Sequence, residues 1–145
     1  MTTDRVADEG KLWDVVGLGA ACLDHVCRIP VFPKPDSATS KVRMHGESRM
    51  CGGQIATALA TCARLGLRPK YVGAVGADDD GRRILAELTT RGIDVADVVA
   101  LDVPTATATI LIDDSGERLV LWNRDKGLCV PVDRVPATGT HRSEE

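Results

Sequence analysis

The chain has 145 residues, a net charge of −3, 43% hydrophobic and 27% charged residues, which is about one soluble globular domain. No basic stripe interleaved with aromatics offers a nucleic-acid surface, and no apolar stretch approaches the roughly 18 residues that span a bilayer. Residues 1–11 are polar and acidic without an apolar core, so they read as a disordered tail and not as a secretory leader.

The first element is Trp13-Asp14-Val15-Val16-Gly17-Leu18-Gly19, a short buried strand ending in glycines. Leu23 to Ile29 reads as extended and is closed off by Pro30, Pro33 and Pro35. Thr39 to His45 is expected to form another strand. Gly52-Gly53 then opens a helix from about Gln54 to Leu65, with Ile55, Leu59 and Cys62 on one face and Gly66 as its C-terminal cap. Tyr71 to Val75 reads as a strand. Asp78 to Asp80 cap a second helix from about Asp79 to Arg91, whose inner face is Ile84, Leu85 and Leu88. Asp97 to Leu101 is a further short strand. Thr105 to Ile112 and Glu117 to Trp122 form a hairpin around the turn Asp113-Asp114-Ser115-Gly116. Residues 136–145 have no hydrophobic period and read as a second disordered tail. Strand and helix alternate and a hairpin follows, which predicts an α/β fold: at least four strands in one largely parallel sheet, with an antiparallel appendage.

Five cysteines without a redox C-x-x-C spacing predict reduced thiols and a cytoplasmic protein. A zinc site drawn from Cys22, Cys27, Cys51 and His25 fits no common ligand spacing. Gly17-Leu18-Gly19-Ala20-Ala21-Cys22 resembles the start of a dinucleotide fingerprint, but its third glycine position is cysteine and no helical period follows. Gly76 to Gly81 mimics part of a calcium loop. Gly76 stands at the first ligand position and Arg82 and Arg83 add positive charge, so an acidic helix cap is the plainer reading.

Met50-Cys51-Gly52-Gly53-Gln54-Ile55-Ala56-Thr57-Ala58 is the most informative segment. Paired glycines before a helix allow close backbone approach to a ligand, and the helix N-terminus offers free N–H donors. Such a pair alone is more often a tight turn. Yet five separated signals occur in register: Val15 to Gly19 with Asp24, Gly52-Gly53 opening a helix that ends at Leu65-Gly66, Gly73 to Gly81, Gly92-Ile93-Asp94, and the threonine-rich hairpin. In this order they resemble the N-terminal half of a PfkB-type, ribokinase-like carbohydrate kinase, over roughly Asp14 to Val135.

The resemblance implies a Rossmann-like domain occupying 12–135, with helices flanking the sheet. A small antiparallel β lid would use strands near 23–46 and 105–123, and a homodimer contact could run through it. Asp24 would accept hydrogen bonds from substrate hydroxyls. Gly52, Gly53 and Gln54 would form the substrate loop. Thr57 stands where the family usually has Asn, and one hydroxyl cannot reproduce an amide's separate donor and acceptor. Thr107 and Thr109, on the lid, would also reach the substrate. The implied substrate is a small sugar or nucleoside, and the implied cofactors are ATP and Mg²⁺. The family's D-T-x-G-A-G-D motif, which carries the catalytic base, does not occur here, so no catalytic residue is assigned and neither cofactor is expected to bind tightly. The alternative is a non-catalytic sugar-binding or interaction module.

Overall fold

The computed structural model describes residues 12–35 and 37–135. The two segments expected to be disordered, 1–11 and 136–145, lie outside the described residues. Eight strands and two α-helices follow in the order β1 (Val15–Leu18), β2 (Cys22–Arg28), β3 (Gly46–Gly52), α1 (Gln54–Arg64), β4 (Pro69–Val72), β5 (Ala74–Gly76), α2 (Asp79–Thr90), β6 (Val99–Leu101), β7 (Thr107–Ile112) and β8 (Arg118–Asn123).

The parallel layer is divided differently from the expected single sheet of four or more strands. β1 pairs in parallel with β4, and β5 pairs in parallel with β6. β4 and β5 are two halves of one run interrupted at Gly73; β1 flanks the first half on one side, and the 94–101 segment runs beside both halves, with Asp94 against Lys70 and β6 against β5. Tyr71 N–H donates to the Asp94 carbonyl at 2.8 Å and Val99 N–H to that of Gly73 at 3.0 Å, which continues the pairing across the break.

Both helices end as the sequence predicts. Leu67 N–H reaches the Cys62 carbonyl and Gly66 N–H that of Ala63; Ile93 and Gly92 repeat the pattern on Leu88 and Thr89. These paired bonds satisfy the last carbonyls of each helix. Ala56 and Leu59 of α1 join Ile84 and Leu88 of α2, Tyr71, Val75 and Ile93 in the main core. Tyr71 is wholly buried, and its hydroxyl donates to the Gly19 carbonyl at 3.0 Å. Burial pushes that phenol up to about 12, so it remains a donor at neutral pH. The bond fastens the turn after β1 to β4 and thereby fixes the start of β2.

The lid is the only four-stranded sheet among the described residues, in the order β3-β2-β7-β8. Its central pair β2–β7 is parallel and its outer pairs are antiparallel. The strand expected at Thr39–His45 lies instead at Gly46–Gly52. Its sequence, GESRMCG, has no apolar alternation and is mostly exposed, so its pairing with β2 and not its own pattern makes it a strand. β8 is exposed along its whole length, with Leu121 and Trp122 the most open of its apolar residues. The hairpin therefore exposes its outer strand, as expected, while β2 of the same sheet joins the main core through Leu23.

Candidate substrate site

β2 and β3 bring Asp24 to the glycine pair. In their antiparallel register Cys22 lies opposite Gly52 and Asp24 opposite Met50. The Asp24 carboxylate sits directly on the Gly52 Cα, where any side chain would collide with it. The Cys22 thiol donates to Asp24 Oδ1 at 3.1 Å. Burial, and then this contact with Asp24, push the Cys22 thiol up to about 12, so it stays protonated and holds the carboxylate in place.

Gly53 takes φ 97°, a conformation that glycine adopts without steric cost. A Cβ there would lie 2.6 Å from the Ala20 carbonyl oxygen, so the loop rests against the backbone after β1. α1 begins at the next residue with no side-chain cap and no acidic residue in its first turn. Its first N–H groups therefore have no intrahelical partner and are open to a ligand. α2 is the contrast: Asp78 accepts the Gly81 N–H at 2.8 Å and closes that terminus. The acidic run at Asp78 to Asp80 is thus a helix cap, as the plainer sequence reading holds.

Asp24, Gly52 and Thr57 line one cavity of about 360 Å³, with Met50, Thr61 and Arg64. Its size falls within the roughly 300–1,000 Å³ of small-molecule pockets. Gln54 is exposed at the start of α1. A second hollow of about 290 Å³ adjoins the end of β1 and is mostly apolar; its one cationic side chain, Arg124, donates to the Leu128 carbonyl at 2.7 Å. Its lining contains no carboxylate, so the hollow at Asp24 is the better candidate for a polyhydroxylated ligand.

The lid register separates the remaining expected residues. Asp24 pairs with Ala108, and Ala108 pairs with Trp122, so these three form one row on one face. Thr107 pairs with Leu23 and Thr109 with His25, which places both threonines on the opposite face from Asp24. The small Ala108 and the exposed Trp122, and not the threonines, therefore share a row with the carboxylate. The two-residue period of β7 was visible in the sequence, but which face met the site depended on its pairing with β2.

Among the described residues, one His/Cys/Asp/Glu trio has donor atoms close enough for a single ion: His25, Cys27 and Glu47. Imidazole and thiol are poor partners for Mg²⁺, which takes oxygen ligands.

Residues 19–129 match the pfkB family of carbohydrate kinases. The chain belongs to that family. A nucleoside kinase from Methanothermobacter thermautotrophicus is 30% identical over 107 residues, covering 73% of this chain and 34% of that protein. A crystal structure described as a ribokinase from Agrobacterium tumefaciens aligns with TM-score 0.71 and 35% identity, over 79% of this chain and 37% of that one. The Arabidopsis thaliana ribokinase complexed with ribose and ATP aligns with TM-score 0.65 at 23% identity, over 77% of this chain and 36% of that one, and shows the shared fold. The chain thus spans about a third of these pfkB-family and ribokinase relatives. The ribokinase-like fold expected from the sequence is the fold observed, and the four-stranded lid is part of it.

Proposed function

We propose that this chain is the substrate-holding part of an ATP-dependent kinase that phosphorylates a hydroxyl of a small sugar or nucleoside. The observation that carries the reading is the Asp24 carboxylate, seated on Gly52 beside an uncapped helix terminus. An ionised carboxylate accepts hydrogen bonds from two neighbouring hydroxyls at once. The open N–H groups of α1 add donors for a substrate oxygen. Gly52 leaves room for the carboxylate, and Gly53 lets the backbone turn toward the ligand. Thr57 contributes one hydroxyl at the first helical turn.

Trp122, 74% exposed in the same lid row as Asp24, offers an aromatic face to whatever the carboxylate holds. Stacking of a base on an aromatic side chain contributes about 1–3 kcal/mol. Trp122→Ala is therefore expected to weaken nucleoside binding by roughly 5- to 150-fold and free ribose binding by less. Equal losses for both ligands, measured by titration, would show that Trp122 does not read a base.

The reaction of the whole kinase would be attack of the held hydroxyl on the γ-phosphate, for which positioning and charge stabilisation supply most of the catalysis. We assign neither task to a residue of this chain. Incubated with ATP, Mg²⁺ and a panel of sugars and nucleosides, the 145-residue chain is expected to release no substrate-dependent ADP. ADP release that disappears in Asp24→Ala would place catalytic groups within these residues and overturn that part of the reading. A longer chain from the same locus that binds a sugar yet never turns over ATP would favour the non-catalytic module.

A further inference from the structure

His25, Cys27 and Glu47 form a donor set that substrate binding does not use. His25 and Cys27 are two residues apart on β2 and so share a face. The register sets Glu47 directly across from Cys27 on β3. This face is the one opposite Asp24, so the trio is separate from the candidate substrate site. His25 Nε2 lies 2.9 Å from Glu47 Oε2, and all three donor atoms lie within 4.8 Å of one another.

Zinc with Zn–N near 2.0–2.1 Å and Zn–S near 2.3 Å needs ligand atoms roughly 3.3–3.8 Å apart in a tetrahedron. Side-chain movements of about 1 Å or less bring the set to that size, the His25–Glu47 pair opening from 2.9 Å and the longer separations closing. One imidazole, one thiolate and one carboxylate make a mixed, moderately soft donor set, which suits Zn²⁺ and not Mg²⁺ or Ca²⁺. A thiolate and a carboxylate also neutralise a divalent charge. Arg49 stands directly across from His25 and is a cross-strand charge opposing a cation. Cys27 is 5% exposed while the Glu47 side chain is 58% exposed, so the trio has a buried floor and a solvent-facing entry.

We propose that the lid carries a Zn²⁺ site made by His25, Cys27 and Glu47, with a fourth position open to solvent. On binding, the Cys27 thiol gives its proton to solvent and its sulfur takes the metal; His25 binds as the neutral imidazole. The ion cross-links β2 to the polar edge strand β3, whose own sequence does little to hold it. Binding to the folded state alone raises stability by mass action.

The test uses the whole reduced chain with Co²⁺ as a spectroscopic substitute, then Zn²⁺ as competitor. One Co²⁺ per chain is expected, with sulfur-to-cobalt charge-transfer absorption that Zn²⁺ abolishes. Cys27→Ser should lose that absorption although Cys22, Cys51, Cys62 and Cys129 remain. Glu47→Gln and His25→Gln should weaken binding at least about tenfold, as loss of ligand-shell groups does. Glu47 is exposed, so its variant keeps the test valid even where Cys27→Ser fails to fold. Zn²⁺ should raise the melting temperature of the native chain and not of Glu47→Gln. Absence of charge-transfer absorption, its persistence in Cys27→Ser, or native affinity in Glu47→Gln would each overturn the proposal.

Discussion

Asp78→Ala is expected to destabilise the chain by about 2–4 kcal/mol, because one carboxylate serves two elements. Oδ1 accepts the Gly81 N–H at 2.8 Å and the Thr105 hydroxyl at 2.6 Å, while Oδ2 accepts the Thr105 N–H at 2.8 Å. The Thr105 hydroxyl oxygen in turn accepts the Gly76 N–H at 2.9 Å. The side chain thus caps α2 and anchors the residue that leads into lid strand β7. Losing a helix cap costs about 1 kcal/mol. Leaving the N–H and O–H donors of buried Thr105 without their acceptor costs about 1–3 kcal/mol more.

The same contacts give a pH dependence of known sign. Burial acts to raise the Asp78 pKa, but the hydrogen bonds from Thr105 and Gly81 outweigh it and hold the group below its ordinary 3.8. The Ala96 N–H, against an opposing contribution from burial, and then Lys70 lower Asp94 likewise. A carboxylate with a depressed folded-state pKa adds stability above the unfolded value and loses it as pH falls through the folded one. Urea midpoints should therefore hold steady near neutrality and decline below 3.8, with a smaller acid decline in Asp78→Ala. A variant within about 0.5 kcal/mol of the native chain at pH 7 would mean that Asp78 is an ordinary surface residue.

Gly52→Ala is expected to weaken sugar or nucleoside binding by roughly 100-fold or more while leaving the fold in place. Gly52 is not among the glycines with positive φ, so alanine strains no backbone there. Its methyl group falls on the Asp24 carboxylate, which must swing off its seat. Two charge-assisted hydrogen bonds at about 1.5–3 kcal/mol each are then lost or misaligned. Combined with Asp24→Asn, the two losses should be far from additive, because both remove the same contacts. Affinity within threefold of native, in a variant with native melting behaviour, would separate Asp24 from substrate binding.

The helices were legible because their signals are local. Ile84, Leu85 and Leu88 share a face of α2, Asp78 caps it and Gly92 ends it, and the observed helix Asp79–Thr90 stops one residue short of the expected Arg91. α1 likewise closes at Arg64, next to the expected Leu65. The pairing of Asp24 with Gly52 was legible only through the family resemblance, since 28 residues separate them and nothing local links a strand to a distant glycine. What stayed hidden was pairing. β3 has a polar, exposed sequence and owes its extended form to β2. The faces of β7 alternate visibly, but only the β2 register shows that Ala108 and not Thr107 or Thr109 stands beside Asp24. Trp122 carries no local mark of function, and its place in the Asp24 row depends on two successive strand pairings. The proximity of His25, Cys27 and Glu47 is hidden for the same reason.

We propose that Asp24 and the Gly52-Gly53 turn hold a substrate with neighbouring hydroxyls. Amide NMR spectra of the chain, titrated with ribose, fructose, adenosine and cytidine, test it most directly because they detect weak binding and locate it. Saturable shifts are expected for at least one ligand at the amides of Asp24, Gly52, Gly53 and the first turn of α1, absent at the same concentrations in Asp24→Asn. Shifts confined to other parts of the chain, or shifts at these amides that persist unchanged in Asp24→Asn, would contradict it.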